Sequence, residues 1–395
     1  MFIGKSLTNI RILYDLSRSQ LAEKIGVTEQ AIWQYENGYV SPKLETINKL
    51  KEIFDVKGTY FYTSDLLEKY GQENIDRVNI AYRSETINSA HKTHSETMYL
   101  QYVDAFLKKI EGKISYPKNT LFELREEVVS FLRTHVNLER QQQISYIAAL
   151  AREKIGLSKT SNKNLLFLLE KSGIFVFEKE IGQSIDAYSI WTNDHRAYII
   201  LGTLKKSAVR RNFDLAHELG HLLLHYKAEF TTRNTAEYKL LEKEADTFAS
   251  EFLLPDNEFI KDFTKITKKS NPDAYIELKQ KWLVSLQAIA IKAFKLKLIE
   301  YQQYRYFYMS INKKGYKEKE PLDDVILINR PSKVKSILQL LFEKNILSVS
   351  TLIDDLQINK RFLTKLTGID EAFFDQYYRL ENKTFSISDL NIKVN

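Results

Sequence analysis

The feature that most constrains this sequence is an apolar run carrying two histidines four positions apart, AHELGHLLLHY over residues 216–226. Apolar residues recur at helical spacing around the histidines, which predicts a helix with a buried face. Residues four apart on a helix lie about 6 Å from each other on one face. His217 and His221 would therefore both be buried on folding, and burying two histidines without polar partners costs free energy.

The H-E-x-x-H spacing allows both histidines to have the same partner, a metal ion. Both imidazoles can bind one divalent ion, while Glu218 between them points toward a water on that ion and serves as general base. The sequence contains no cysteine, so thiolate ligands are excluded and histidine or carboxylate must complete the site. This chemistry predicts Zn²⁺, with Mn²⁺ as the alternative.

A catalytic zinc site needs a third protein ligand, and the sequence offers two sources. His225 continues the histidine column, but it lies about 12 Å along the axis from His217 at ~1.5 Å per residue. We therefore expect His225 to be a helix-end or surface histidine. The better source is LEKEADTFA over 241–249, where Glu242 and Asp246 share one face of a second helix. We expect Glu242 to bind the metal and Asp246 to accept a hydrogen bond from a ligand imidazole.

The sequence says less about the roles of other polar residues near these motifs. Glu244 lies roughly 200° around the helix from Glu242 and should face elsewhere, so we expect a solvated carboxylate. Several tyrosines are candidates for stabilising an oxyanion, and the sequence does not choose among them: Tyr188, Tyr198, Tyr226 and Tyr238.

A second pattern occupies residues 5–55, where short amphipathic segments are separated by Gly26 and by Asn37-Gly38. We expect Ser19 to cap a helix over 20–25, Thr28 to cap one over 29–36, and a last helix over 44–54. Helices joined by such a glycine turn are typical of a helix-turn-helix. Its third helix would lie in the DNA major groove.

Both patterns resemble known families. RSQLAEKIGVTEQAIWQYENGYVSPKLETINKL, within residues 7–54, resembles the Cro/repressor (XRE) helix-turn-helix family. The run over 142–255 resembles the ImmA/IrrE family of metallopeptidases in LLEKSGIFVFEKE, IDAYS, RAYIILG, RRNFDLAHELGHLLLH and LEKEADTFASEFLLP. That second resemblance implies metal ligands His217, His221 and Glu242, general base Glu218, and cleavage of transcriptional repressors.

The helix-turn-helix interpretation names the residues that would contact DNA. Bases would be read by side chains near the start of the third helix, namely Thr28, Glu29, Gln30, Trp33 and Gln34. The XRE resemblance implies phosphate contacts from Gln20, Asn37 and Lys43. It also implies a structural ion pair between Arg11 and Glu36.

The charge distribution qualifies the DNA prediction. The net charge is +7, which favours polyanionic partners. Residues 1–65, however, hold eight Lys and Arg against eight Asp and Glu, whereas residues 261–395 hold 24 against 16. Because phosphate neutralisation supplies much of DNA affinity, a homodimer or the basic C-terminal region would have to compensate. The alternative is a module that binds protein.

The patterns divide the chain into four segments of a mostly α fold with a small β-sheet. We expect a helix-turn-helix domain over 1–65, a helical connector over 66–115, a zincin-like α+β metallopeptidase domain over 116–260, and a helical domain over 261–395. The segments IFVFEKEI, AYSIW and RAYIILG read as short strands.

Together these features predict a DNA-binding regulator with a zinc-dependent endopeptidase that cleaves a repressor-like protein, itself included as a candidate. The alternative is a DNA-binding repressor or antitoxin-like protein that uses the peptidase fold as a non-catalytic sensor. The N-terminus lacks an apolar core of signal-peptide length, and no apolar run reaches the roughly 18–20 residues of a membrane span. We therefore expect a cytoplasmic protein with double-stranded DNA, and no membrane, as its partner.

Overall fold

The described chain forms two compact units. A computed structural model describes residues 1–71, 81–82, 90–112, 114–116, 119–181, 187–204, 207–226 and 235–381. The first unit comprises residues 1–73, 91–115 and 334–395, and the second comprises residues 74–90 and 116–333. The fold is mostly α with one small sheet, which confirms the predicted fold class.

The helices in chain order are α1 Gly4–Leu13, α2 Arg18–Ile25, α3 Glu29–Glu36, α4 Leu44–Ile53, α5 Leu66–Tyr70, α6 Ala90–Glu111, α7 Thr120–Thr134, α8 Arg140–Ile155, α9 Leu165–Lys171, α10 Ala208–Leu224, α11 Thr235–Leu253, α12 Asp256–Phe263, α13 Ile276–Trp282, α14 Leu286–Lys295, α15 Tyr301–Lys313, α16 Lys333–Glu343, α17 Val349–Leu356, α18 Lys360–Thr367 and α19 Glu371–Glu381. The strands are β1 Ala81–Tyr82, β2 Phe175–Lys179, β3 Ala187–Trp191 and β4 Ala197–Gly202.

Helix α2 begins earlier than the sequence predicted. Its N-cap is Ser17, whose hydroxyl accepts from the Gln20 amide at 3.1 Å while the Gln20 side chain accepts from the Ser17 amide at 2.8 Å. The expected cap at Ser19 is therefore wrong, because a capping box needs Glu or Gln three residues after the cap and Ser19 has Ala22 there. The helix ends at Gly26, whose φ of +72° is the left-handed conformation that glycine adopts without strain.

Two arginines pair with the buried carboxylate of Glu36 in the helix-turn-helix. Arg11 of α1 and Arg18 of α2 each donate through Nε to Glu36 at the end of α3, both at 2.5 Å. The Arg11–Glu36 pair thus has the structural role expected of it, while Arg18 was not anticipated. Helices α1 and α3 also approach closely, since a Cβ at Gly4 would lie 2.3 Å from the Glu36 carbonyl oxygen.

Helices from the C-terminal end of the chain complete the first unit. Val56 and Ile358 form an antiparallel backbone bridge, flanked by a hydrogen bond from the Lys57 amide to the Gln357 carbonyl at 2.8 Å. The Tyr99 hydroxyl donates to the Leu366 carbonyl at 3.0 Å. Residues 334–381 therefore pack with the helix-turn-helix rather than with residues 261–333.

The second unit contains the sheet, whose strand order is β1-β3-β4-β2. Strand β2 runs parallel to β4, while β3 is antiparallel to both β4 and β1. Strands β2, β3 and β4 are buried almost throughout, which explains their near-continuous apolar sequences. They correspond to the three strands expected from the sequence.

Residues 261–333 extend the core of the second unit. Trp282, Tyr275 and Phe307 are fully buried and belong to the same apolar core as Phe248 of α11 and Ile199 of β4. The structure thus divides the expected helical domain over 261–395, because the apolar faces of α12–α15 and of α16–α19 are buried in different units. In the described residues, no helix is both long and apolar enough to cross a membrane.

Candidate metal centre

Helix α10 carries the H-E-x-x-H motif deep inside the second unit. His217, Glu218 and His221 are all less than 5% exposed. Helix α11 packs along α10 at Gly220, where an added Cβ would lie 3.1 Å from the Phe248 ring. A larger residue at Gly220 would require the Phe248 ring to shift, so this glycine favours the close packing of α10 against α11, the helix that carries Glu242.

The three residues expected to bind metal converge on one point. The Nε2 atoms of His217 and His221 lie 3.0 Å apart. Glu242 places Oε2 3.4 Å from Nε2 of His217 and Oε1 3.3 Å from Nε2 of His221. A tetrahedral zinc ion with bonds of about 2.0–2.1 Å separates its ligand atoms by about 3.3–3.4 Å. The spacing and chemistry of this donor set therefore fit zinc.

The electrostatics of Glu242 support the same conclusion. Its Oε1 is buried and has no hydrogen-bond partner within the described residues, which is costly unless a cation completes it. Burial opposes ionisation of Glu242, but the neighbouring imidazoles of His217 and His221 outweigh it and lower the pKa to about 2. The Glu242 carboxylate is thus anionic at any physiological pH.

Asp246 lies beside the site, as the helix geometry suggested. Nδ1 of His217 donates to Oδ1 of Asp246 at 2.9 Å, which leaves Nε2 directed at the centre. Burial opposes protonation of His217, but the bonds to Asp246 and Glu242 outweigh it and raise its pKa to about 9. Such a carboxylate fixes the tautomer of a metal-binding imidazole.

Glu218 lies outside the converging set and has a partner of its own. The Ser189 hydroxyl donates to Oε2 of Glu218 at 2.6 Å and lies 3.2 Å from the Glu218 backbone carbonyl. Burial raises the pKa of Glu218, opposed by the nearby His221 and His217 and by the Ser189 hydroxyl. A carboxylate with a raised pKa is a stronger base than one in water.

The structure confirms His225 as a helix-end histidine, excludes its surface alternative and corrects the expectation for Glu244. His225 does end helix α10, but it is buried rather than on the surface. Its Nε2 lies 3.0 Å from Oε2 of Glu244, and Arg140 of α8 donates to both oxygens of Glu244 at 2.8 and 2.6 Å. Glu244 is therefore a buried, paired carboxylate, because α8 packs against the face of α11 that the sequence left open.

The four tyrosines that were candidates for stabilising an oxyanion differ in how buried they are. Tyr188 and Tyr198 are completely buried within strands β3 and β4, and Tyr238 is 8% exposed. Tyr226 is half-buried, with its ring 5.3 Å from the guanidinium of Arg125.

The expected DNA-reading residues lie along one stretch of α3. Thr28, Glu29 and Gln30 are exposed at the start of the helix, and the Thr28 hydroxyl caps it by accepting from Ala31 at 3.2 Å. Trp33 is 37% exposed and stacks on Tyr39 with ring centroids 5.2 Å apart. The face is thus available for a ligand.

The remaining DNA candidates are less uniform. Gln34 is half-buried, while Gln20, Asn37 and Lys43 are exposed. Asn37 donates from its side chain to the Trp33 carbonyl at 2.8 Å, and Gln20 takes part in the capping box. Two of the expected phosphate contacts therefore already have roles in helix capping.

Ser189 and Arg140 are the site residues that sequence reasoning missed. Ser189 is a small polar residue in the otherwise hydrophobic buried strand AYSIW, and a buried polar side chain that needs a hydrogen-bond partner is a usable signal. Arg140 is 104 positions from Glu244, and no local pattern connects them.

A buried H-E-x-x-H helix facing a carboxylate on the next helix, beside a small sheet, defines a zincin-like metallopeptidase fold. Comparison with known families agrees: residues 169–294 match the IrrE N-terminal-like domain of the Peptidase_M78 family. Residues 7–61 match the helix-turn-helix family HTH_3. The chain thus joins an XRE-type helix-turn-helix domain to an IrrE-like metallopeptidase-family domain, as both resemblances indicated.

A curated relative matches a short part of the chain. Over 56 residues the chain is 39% identical to the cryptic phage CTXphi transcriptional repressor RstR of Vibrio cholerae. The match covers 14% of this chain and 50% of that repressor, so the chain spans about half the length of this relative.

Proposed function

We propose that this chain is a DNA-binding regulator whose zinc-dependent endopeptidase cleaves a repressor-like protein, with this chain as one candidate substrate, and thereby switches gene expression. The observation that carries the proposal is the convergence of His217, His221 and Glu242 while Glu218 stays outside that set. Sensing a ligand requires no general base, so the presence of Glu218 favours catalysis over the sensor alternative.

The chemistry follows from the positions of these residues. When bound, zinc (or manganese) would activate a water molecule and polarise the scissile carbonyl. Glu218 would accept a proton at its carboxylate and deliver it to the leaving amine. Ser189 would hold that carboxylate in place through its 2.6 Å hydrogen bond, and Asp246 would keep His217 in the ligating tautomer.

The N-terminal domain would bring this activity to DNA. The helix-turn-helix match over residues 7–61, the chain's similarity to a phage transcriptional repressor and the exposed start of α3 support binding to double-stranded DNA. We further propose that two chains bind a palindromic site as a homodimer, since the symmetry of such a site mirrors a two-fold protein and the domain itself has little positive charge. Because its partner is DNA, we place this activity in the cytoplasm.

The variant E218Q tests this function. It should keep its metal but fail to cleave, so that intact substrate co-purifies with the variant. In cells that carry the wild type, the same substrate should be found in a shortened, cleaved form. The matched control is Glu237→Gln, an exposed glutamate on the same helix as Glu242, which should cleave normally. Normal induction of the target genes by metal-loaded E218Q would contradict the protease and favour the sensor.

A further inference from the structure

The two histidines of the candidate metal centre are oriented by different partners. Nδ1 of His217 faces Asp246, whose side chain is 51% exposed. Nδ1 of His221 instead lies 3.0 Å from Nδ1 of His225. An imidazole is an unusual neighbour for a metal-binding histidine, since carboxylates, backbone carbonyls and water are the common ones.

The contact does not end at His225. Nε2 of His225 lies 3.0 Å from Oε2 of Glu244, and Glu244 is held by two hydrogen bonds from Arg140. His225 is 5% exposed and Glu244 is 9% exposed. The series therefore runs from α10 through α11 to α8, across three helices that are brought together only by the fold.

The donors and acceptors in this series fit one direction. If His221 binds metal through Nε2, its Nδ1 carries the proton and donates to Nδ1 of His225. His225 then carries its own proton on Nε2 and donates it to the Glu244 carboxylate. Arg140 has donors alone, so it completes the series by donating to both oxygens of Glu244.

We propose that His225, Glu244 and Arg140 form a relay that sets the tautomer and ring orientation of His221 and so determines how tightly the site holds its metal. This inference rests on the proposed metal site. His225 is a positioning residue rather than a ligand, since its imidazole reaches the centre only through His221. A buried histidine that merely filled space would need neither a buried carboxylate nor the arginine behind it.

The test measures metal affinity by chelator competition, together with the absorption spectrum of the Co²⁺-loaded full chain. H225F fills the same space without a donor or acceptor, and it should weaken zinc affinity roughly 10- to 100-fold and shift the cobalt bands. H225Q can both accept and donate, and it should recover part of the loss. The matched control is E320Q, which alters a buried carboxylate paired with Lys279 at 2.9 Å; it should lower the unfolding temperature and leave affinity and spectrum unchanged.

The outcomes distinguish a failure of the relay from a failure of the proposed zinc-dependent function. Weaker binding and shifted bands in H225F, with partial recovery in H225Q, support the relay. Unchanged affinity and spectrum in H225F overturn it while wild-type metal binding stands. A wild type that binds no stoichiometric zinc or Co²⁺ overturns the proposed function and the relay together. Loss of all metal in H225F, with retention in E242A, would make His225 a ligand and also overturn the relay.

Discussion

The hydroxyl of Ser189 on strand β3 donates to the carboxylate of Glu218 on helix α10 at 2.6 Å. These residues are 29 positions apart, and the sheet brings them together. The contact ties the proposed general base to a strand that is buried along its length, so the geometry of Glu218 depends on the register of β3 as well as on the helix.

Replacing Ser189 should slow proteolysis without removing the metal. S189A leaves the Glu218 carboxylate without this hydrogen bond, and a lost bond to a charged group costs about 1.5–3 kcal/mol, or roughly a 10- to 150-fold lower kcat/KM. S189T keeps the hydroxyl and should retain most of the activity. Steady-state kinetics alongside metal analysis would check this, and equal rates in S189A and the wild type would mean that Ser189 does not position Glu218.

Metal content should depend on the three converging side chains. Purified protein should carry about one equivalent of divalent metal per chain, and H217A, H221A and E242A should each lose most of it. H225A should remain loaded when zinc is in excess. Elemental analysis after dialysis gives the stoichiometry; retention of metal by E242A would show that the third ligand lies elsewhere.

Substitutions in the helix-turn-helix should distinguish residues that read bases from residues that contact phosphates. Q30A removes an exposed side chain at the start of α3 and should relax sequence preference, at about 1–3 kcal/mol for a bidentate base contact. K43A should weaken all sites alike and reduce the salt slope by about one. Footprinting and salt titration with the full chain would measure both, and K163A, an exposed lysine in the second unit outside the basic C-terminal region, is the control. The absence of any preferred site at low salt would indicate a protein partner instead.

The stability of the second unit should fall in acid partly through Asp262. Burial opposes its ionisation, but hydrogen bonds from Lys281 and Lys265 outweigh it and hold its pKa below the ordinary 3.8. A lowered folded-state pKa means that ionised Asp262 stabilises the fold above pH ~4, and that this contribution is lost as the pH falls through the folded value.

Urea unfolding at pH 7 and pH 3 would measure this effect. D262N should lower the free energy of unfolding at pH 7 and lie closer to the wild type at pH 3. Its control is E258Q, since Glu258 pairs with the exposed Lys261 on the same helix and an exposed ion pair contributes little to stability. A D262N deficit that is the same at both pH values would rule out the ion pairs as its source.

Local patterns in the sequence were sufficient for many of these features. The i, i+4 spacing of His217 and His221 places both on one helix face, and Glu242 with Asp246 repeats that spacing on α11. Thr28 caps α3, and the apolar runs that became β2, β3 and β4 were recognisable. Such features depend on backbone periodicity and capping, which involve residues within a few positions of each other.

What the tertiary structure decided was which faces meet. Nothing near Glu244 in the sequence points to Arg140, so a carboxylate expected in solvent is buried against α8. The packing also turned His225 inward and divided α12–α15 from α16–α19. An apolar face in the sequence indicates that its residues are buried, but not which distant element they pack against. The packing partner is determined by side-chain packing and sheet register across the whole unit.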